Sequence, residues 1–154
     1  SEPDVHCWLP AVPRPYSRAA AEHFLAQRSG DPPALALVWG GAGVGVISLT
    51  DGRDETGLPE LGYWLAKPAW GQGLMTEAAQ AVTAEHFRAG GDTLGSGWIE
   101  GNEASGRVLA KTGFEPTGQT VARLSKYYGH EVPVVRVALT PDRWRSLETH
   151  SNQR

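Results

Sequence analysis

A chain of 154 residues with a formal net charge of -3 and one cysteine has the length of one domain, enough to bury a core without disulfides. Cys7 has no second thiol to pair with, and the five histidines contain no His-x-x-x-His pair, so no metal is expected. The acidic balance and the lack of a Lys or Arg run argue against a nucleic-acid face. No apolar stretch approaches the roughly 20 residues that span a bilayer, and no charged-then-apolar leader opens the chain, so a cytoplasmic setting and no membrane partner are expected.

The prolines Pro3, Pro10, Pro13 and Pro15 predict an extended, turning segment over 1–16 rather than a helix. Ser17 stands where an N-cap belongs for a helix to about Arg28, with Ala20, Phe24 and Leu25 on one face, stopped by Ser29-Gly30-Asp31-Pro32-Pro33. The runs ALALVW and VGVISLT flank Gly40-Gly41 and predict a hairpin. After the loop DGRDETG comes a strand over Glu60 to Leu65, then a helix from about Gly73 to Arg88. Past Gly90-Gly91 the order is a strand near LGSGWIE, then a short helix from Asn102 to Thr112 ended by Gly113. The β runs TVARLSKYY and VPVVRVALT, joined by Gly129-His130, precede PDRWRSL, where Pro141 suits a first helical turn. No repeat, low-complexity tract or linker divides the chain, so a single mixed α/β domain over 1–154 is expected.

The strand-to-helix turn Trp70-Gly71-Gln72-Gly73 leaves free N–H groups at the positive end of the helix dipole, beside glycines that let a ligand approach the backbone. That arrangement suits phosphate, yet Gly-rich turns of this kind are also common without any ligand. A Walker loop needs a Lys-Ser/Thr pair where Leu74-Met75-Thr76 stands, and a dinucleotide fingerprint needs a third glycine at Thr76. Both readings fail. The other glycine cluster, Gly40 to Gly45, leads into a strand.

Taken together, ELGYWLAKPAW, WGQGLMTEA, NEASGRVLAKTGF and VPVVRVALTPDRW resemble the GNAT N-acetyltransferases, in the branch similar to RimJ and RimL, over roughly Val5 to Trp144. The resemblance implies an α+β GNAT fold: a twisted, mostly antiparallel sheet with helices on both faces, splayed between its fourth and fifth strands where acetyl-CoA lies. The family loop is Gln/Arg-x-x-Gly-x-Gly/Ala, and here Trp70, Gly73 and Met75 fill its specified positions. Trp70 is usual for the branch, whereas Met75 replaces a small residue. By the same resemblance, Trp70, Gly71, Gln72, Gly73, Leu74, Met75 and Thr76 hold the pyrophosphate. Family members begin with a Thr-x-Arg-Leu-x-Leu-Arg strand and a first helix, which are missing or shortened in a chain starting at Ser1. The sheet edge thus left uncovered makes a homodimer an expectation.

Acetyl transfer to an amine needs a neutral amine, donors for the carbonyl oxygen and a proton for the departing thiolate. An α-amino group titrates near about 8 and a lysine amine near about 10.4, so a proton must leave, commonly through a carboxylate and water. Glu60, heading the strand that borders the cleft, is the first candidate base or else a solvated strand-edge acid; Glu100 is the second candidate or else a loop acid. Backbone N–H groups around Trp64, Leu65 and Ala66 are expected to hold the pantetheine arm and polarise the thioester, because an opened sheet leaves them unpaired. Asn102 is an N-cap and, by resemblance, also turns toward CoA. Ser105, in the branch's Asn-x-x-Ser, is implied to hydrogen-bond the CoA sulfur. Arg107 and Lys111 either meet phosphates or decorate the helix, and Tyr127, Tyr128 and His130 either shape the amine pocket or pack the hairpin. The expected function is transfer of acetyl from acetyl-CoA to a primary amine by direct attack in a ternary complex; the alternative is a non-catalytic module that binds CoA or acyl-CoA.

Overall fold

The computed structural model describes residues 2–12, 17–28, 34–50 and 55–151. The expected helix stop at Ser29 to Pro33, most of the DGRDETG loop and the Phe24 and Leu25 side chains lie outside the described residues. Among the described residues six strands form one sheet in the order β1-β2-β3-β4-β6-β5. They are β1 (Ala34–Trp39), β2 (Ala42–Thr50), β3 (Glu60–Leu65), β4 (Leu94–Ile99), β5 (Glu115–Ser125) and β6 (His130–Leu139). The helices are α1 (Pro3–His6), α2 (Arg18–Arg28), α3 (Leu74–Arg88), α4 (Glu103–Thr112) and α5 (Pro141–Ser151), with a 3₁₀ turn over Lys67–Ala69.

Local chemistry accounts for most boundaries. Gly40 and Gly41, at φ of 58° and 81°, make the tight β1–β2 turn that a right-twisted hairpin requires. Helix α4 starts at the Asn102 cap, whose Oδ1 accepts from the Ser105 N–H at 3.3 Å. It ends in a Schellman motif: Gly113 N–H donates to Ala110 O at 3.0 Å and Phe114 N–H to Leu109 O at 3.0 Å. Leu109 and Phe114, brought together by that turn, both enter the main core.

Two expectations are corrected. The leading segment contains a one-turn helix, Pro3–His6, because a proline at the first helical position sacrifices no internal hydrogen bond. The fifth strand begins at Glu115 rather than Thr120 and ends at Ser125, with its register against β6 broken between Pro116 and Thr120. Tyr127 and Tyr128 therefore stand in the hairpin turn.

All strand pairs are antiparallel except β3 with β4, which are parallel and in register only at Glu60 and Gly95. Gly95 N–H donates to Pro59 O at 2.8 Å, and one step on the Ser96 hydroxyl donates to Leu61 O at 2.8 Å. From there the strands part. Strand alternation sorts side chains to two faces. One face carries Leu61, Leu94, Val137 and Leu139, packed with Met75, Ala79 and Phe87 of α3 and Leu109 of α4. The other carries Ile99, Val132 and Val134, covered by Trp8 of the leading segment. Among the described residues no helix is long and apolar enough to cross a membrane.

Candidate active site

The parted strands open a cleft of about 800 Å³ that passes between the two faces of the sheet. At its helical side stands the turn from the 3₁₀ segment into α3. Gly71 and Gly73 hold φ of 74° and 76°, a left-handed backbone that favours glycine, and a Cβ built on either would meet no protein atom within 4 Å. Helix geometry leaves the N–H groups of Leu74, Met75 and Thr76 without an intrahelical acceptor, the first helical bond being Glu77 N–H to Gly73 O at 3.0 Å. The Met75 side chain, only 4% exposed, belongs to the main core. Its bulk thus turns inward, away from a ligand at the turn. Trp70 braces the loop through its indole N–H, which donates to Leu65 O at 2.7 Å.

Hydrogen-bond alternation decides which β3 amides face the opening. Ala66 N–H is occupied by Val44 O at 2.7 Å, so in this register Trp64 opposite Val46 also spends its backbone groups on β2. Leu65 N–H points across the splay. Trp64, Leu65, Trp70, Gly71, Gly73, Leu74, Met75, Thr76, Asn102 and Ser105 all line the cleft, whereas Ala66 and Gln72 do not. Arg107 and Lys111, one helical turn apart on α4, also line it, which brings two cations to its α4 wall. Gly106 lets that wall close on the sheet: a Cβ there would lie 3.0 to 3.3 Å from three atoms of the Trp98 indole.

At the vertex of the splay, Glu60 lies on the face opposite the helices. Arg136 Nη1 donates to Glu60 Oε1 at 2.8 Å, and Arg123 reaches Oε1 at 3.0 Å and Oε2 at 3.1 Å. Arg123 also bonds Glu55 at 3.1 Å. Burial works against the Arg123 charge, but hydrogen bonds and attraction from Glu60 and Glu55 outweigh it and raise its proton affinity. Glu55 is pulled below the usual carboxylate range: slight burial opposes the shift, and a backbone hydrogen bond and Arg123 drive it. Glu60 and Arg123 line the cleft. Glu100 is exposed on the turn after β4 and does not.

The sequence model of the Acetyltransferase (GNAT) domain matches residues 1–115. The chain belongs to the GNAT acetyltransferase family. Three solved structures share the fold. A ribosomal-protein-alanine N-acetyltransferase from Brucella melitensis is 22% identical with a TM-score of 0.70, covering 86% of this chain and 84% of its own. A ribosomal-protein-S5-alanine acetyltransferase from Vibrio fischeri is 20% identical with a TM-score of 0.72, covering 90% and 81%. Mycobacterium smegmatis RimJ, in complex with CoA-disulfide, is 17% identical with a TM-score of 0.75, covering 94% and 78%. At these identities the likeness is one of fold. No curated protein matches the sequence.

Three side chains at or beside this cleft carry no clear signal in the sequence. Tyr63 rises from β3 under α4, its hydroxyl 2.9 Å from Ser105 Oγ, and burial pushes its phenol up to about 12 against the lowering effect of the Ser105 bond. Its signal was alternation alone, the odd-numbered β3 positions facing the helices. Arg123 and Arg136 were hidden in apolar-looking strands, and only the pair Gly95 and Gly97 in a neighbouring strand hinted that a long side chain crosses there. Tyr127, Tyr128 and His130 do not line the cleft. They form a ring cluster, with Tyr127 to Tyr128 at 4.9 Å and Tyr128 to His130 at 5.6 Å between centroids. His6 packs on Tyr127 at 5.4 Å and Lys126 N–H donates to Pro10 O at 2.8 Å, so the hairpin secures the leading segment whose Trp8, Leu9 and Pro10 do line the cleft.

Proposed function

We propose that this GNAT acetyltransferase moves an acetyl group from acetyl-CoA to a primary amine, on a protein N-terminus or a small molecule, by direct attack in a ternary complex. The supporting observation is the cleft itself: one slot through the sheet joins a helix N-terminus and Ser105 on one face to a carboxylate on the other. A donor and an acceptor entering from opposite sides would meet inside it. The neighbours named as ribosomal-protein alanine N-acetyltransferases favour an α-amino acceptor.

The residues present fit acetyl-CoA. The Gly71 to Thr76 amides and the helix dipole would receive the pyrophosphate, Arg107 and Lys111 would add charge, and Asn102 would fix the start of α4. Acetyl-CoA supplies an activated acyl group and a thiol leaving group. Leu65 N–H, directed across the splay, would donate to the carbonyl oxygen as negative charge gathers there. Ser105 would hydrogen-bond the sulfur. The amine nitrogen would bond to the acyl carbon as the C–S bond breaks, the proton it sheds would pass through water toward Glu60, and the departing thiolate, hydrogen-bonded by Ser105, would take its proton from solvent. Both Glu60 oxygens already accept guanidinium N–H bonds, so a water would share an oxygen with Arg123 or Arg136. Position favours Glu60 over Glu100, because Glu60 lines the cleft.

A homodimer would use the β1 edge, where Leu35, Val38 and Trp39 are exposed; sedimentation of the wild type against Val38→Lys tests that contact. Thiol release from acetyl-CoA, followed with peptides bearing free α-amines and with small amines, tests the activity. CoA binding without acetylation of any amine in the panel would leave the binding-module alternative and end the enzymatic reading.

A further inference from the structure

The Tyr63 phenol oxygen lies 2.9 Å from Ser105 Oγ and 3.1 Å from Ser105 O. A phenol has one proton, so these two contacts define two arrangements. When Tyr63 donates to the carbonyl, the serine O–H donates to the phenol oxygen and its proton is engaged there. When Tyr63 donates to Oγ, that oxygen keeps a partner and the serine proton is free to turn elsewhere. Burial pushes Tyr63 up to about 12, so it remains a donor across the working range. Its partner is fixed in place: Ser105 stands in the first turn of α4, where its own N–H is held by Asn102 Oδ1 at 3.3 Å.

We infer that Tyr63 is a positioning residue for the leaving thiol: when CoA enters, the phenol donates to Ser105 Oγ and the serine proton turns onto the CoA sulfur. The inference rests on the acetyl-CoA reading of this cleft. A ligand shifts such an equilibrium only through an interaction that it makes in one arrangement and not in the other, and the sulfur lone pair supplies that difference. No proton needs to leave Tyr63, since the phenol only orients the serine. The role is separate from that of Glu60, which lies on the other face of the sheet.

The test compares binding of CoA with binding of desulfo-CoA, in which hydrogen replaces the thiol, in the wild type, Tyr63→Phe, Ser105→Ala and the double variant. The wild type is expected to prefer CoA by roughly 3- to 10-fold, the scale of one net hydrogen bond. Tyr63→Phe and Ser105→Ala should each erase most of this preference and leave desulfo-CoA affinity unchanged, and the double variant should lose no more than Ser105→Ala. Tyr63→p-aminophenylalanine, whose amino group stands where the phenol oxygen stands and can donate to Oγ, should keep part of the preference, which a purely space-filling role would not allow. A Tyr63→Phe protein that keeps the wild-type preference, or losses that multiply in the double variant, would overturn the inference. Failure of the wild type to bind either ligand would instead overturn the reading of the cleft. If Tyr63→Phe does not fold, the isosteric Tyr63→p-aminophenylalanine and Ser105→Ala carry the comparison.

Discussion

Arg136 reaches Glu60 by lying across β4 over two glycines. The arginine is 1% exposed, its Nη1 is 2.8 Å from Glu60 Oε1, and Cβ atoms built on Gly95 and Gly97 would lie 3.2 and 3.1 Å from its Nη2 and Nη1. Gly97 stands directly opposite Arg136 in the ladder, and Gly95 directly opposite Glu60. The ion pair therefore links β6 to β3 over the single register pair that joins the two halves of the sheet. A buried pair of this kind is a weak stabiliser overall but costly to break, which suits a fixed vertex for the cleft.

The lane over β4 makes a prediction about stability. Gly97 has no positive φ, so alanine meets no backbone penalty there and would ordinarily stabilise slightly. Its Cβ, however, would stand 2.7 Å from Val135 O and 2.9 Å from Val134 Cγ1. Gly97→Ala is expected to destabilise by about 1–3 kcal/mol, the usual cost of overpacking, and Gly95→Ala by less, since its nearest neighbour, the Arg136 guanidinium, would stand 3.2 Å away rather than 2.7 Å. Urea unfolding of both variants measures this. Equal or greater stability of Gly97→Ala would mean that the lane is not needed.

The α3 turn makes the second. Ligand at about 100 times its dissociation constant adds roughly 2.7 kcal/mol to stability, so acetyl-CoA should raise the melting temperature. Gly73→Asp should abolish the rise by placing a negative charge where phosphates approach. Gly73→Asn controls for the left-handed backbone, which asparagine tolerates, and should keep a substantial part of the shift. Equal behaviour of the two variants would assign the loss to backbone strain rather than charge.

Tyr63 makes a third, on the alkaline side. Its phenol is raised in the fold to about 12 from about 10 in an unfolded chain. Between those values the folded state binds more protons than the unfolded one, so unfolding stability falls as pH rises through that window. The full contribution, on the order of 2–3 kcal/mol from a shift of about two units, is lost by about pH 12. Tyr63→Phe should remove this component, giving a shallower loss of stability between about pH 10 and 12. Parallel alkaline curves for the two proteins would show that the phenol is not held protonated.

The elements were legible because their signals are local. Gly40-Gly41, the Asn102 cap and Gly113 each encode a boundary in two or three residues, and the α3 turn identified itself by composition. The β3 amides were harder, since the choice of Leu65 over Ala66 depends on which side of the strand faces β2, a property of register that appears only when Ala66 N–H is found on Val44 O. Glu60 was placed at the cleft from its strand, but its two arginine partners come from strands 63 and 76 residues away in sequence. No local pattern reports such a pairing. Arg107 and Lys111 were readable as a helical pair, while their place on the cleft wall appears only in the fold.

Those arginines shape the decisive experiment on the base. If Glu60 draws the amine proton through water, Glu60→Gln should lower turnover at neutral pH by about 100-fold or more, with CoA affinity nearly unchanged because the α3 turn lies on the other side of the sheet. The wild-type rate should rise with pH along one ionisation, and the variant should recover part of its rate at high pH, where solvent deprotonates the amine. The substitution also replaces the carboxylate that answers Arg136, so the melting temperature must be measured first and rates compared where both proteins are folded. A second variant separates charge pairing from proton transfer. Arg123→Gln leaves Glu60 in place with Arg136 and frees one carboxylate oxygen for water, so it should retain turnover within about tenfold if Glu60 is the base. A folded Glu60→Gln enzyme with normal turnover and an unchanged pH profile would remove Glu60 from the proton path and leave it as the vertex clamp; an inactive Glu100→Gln beside it would move the role to Glu100.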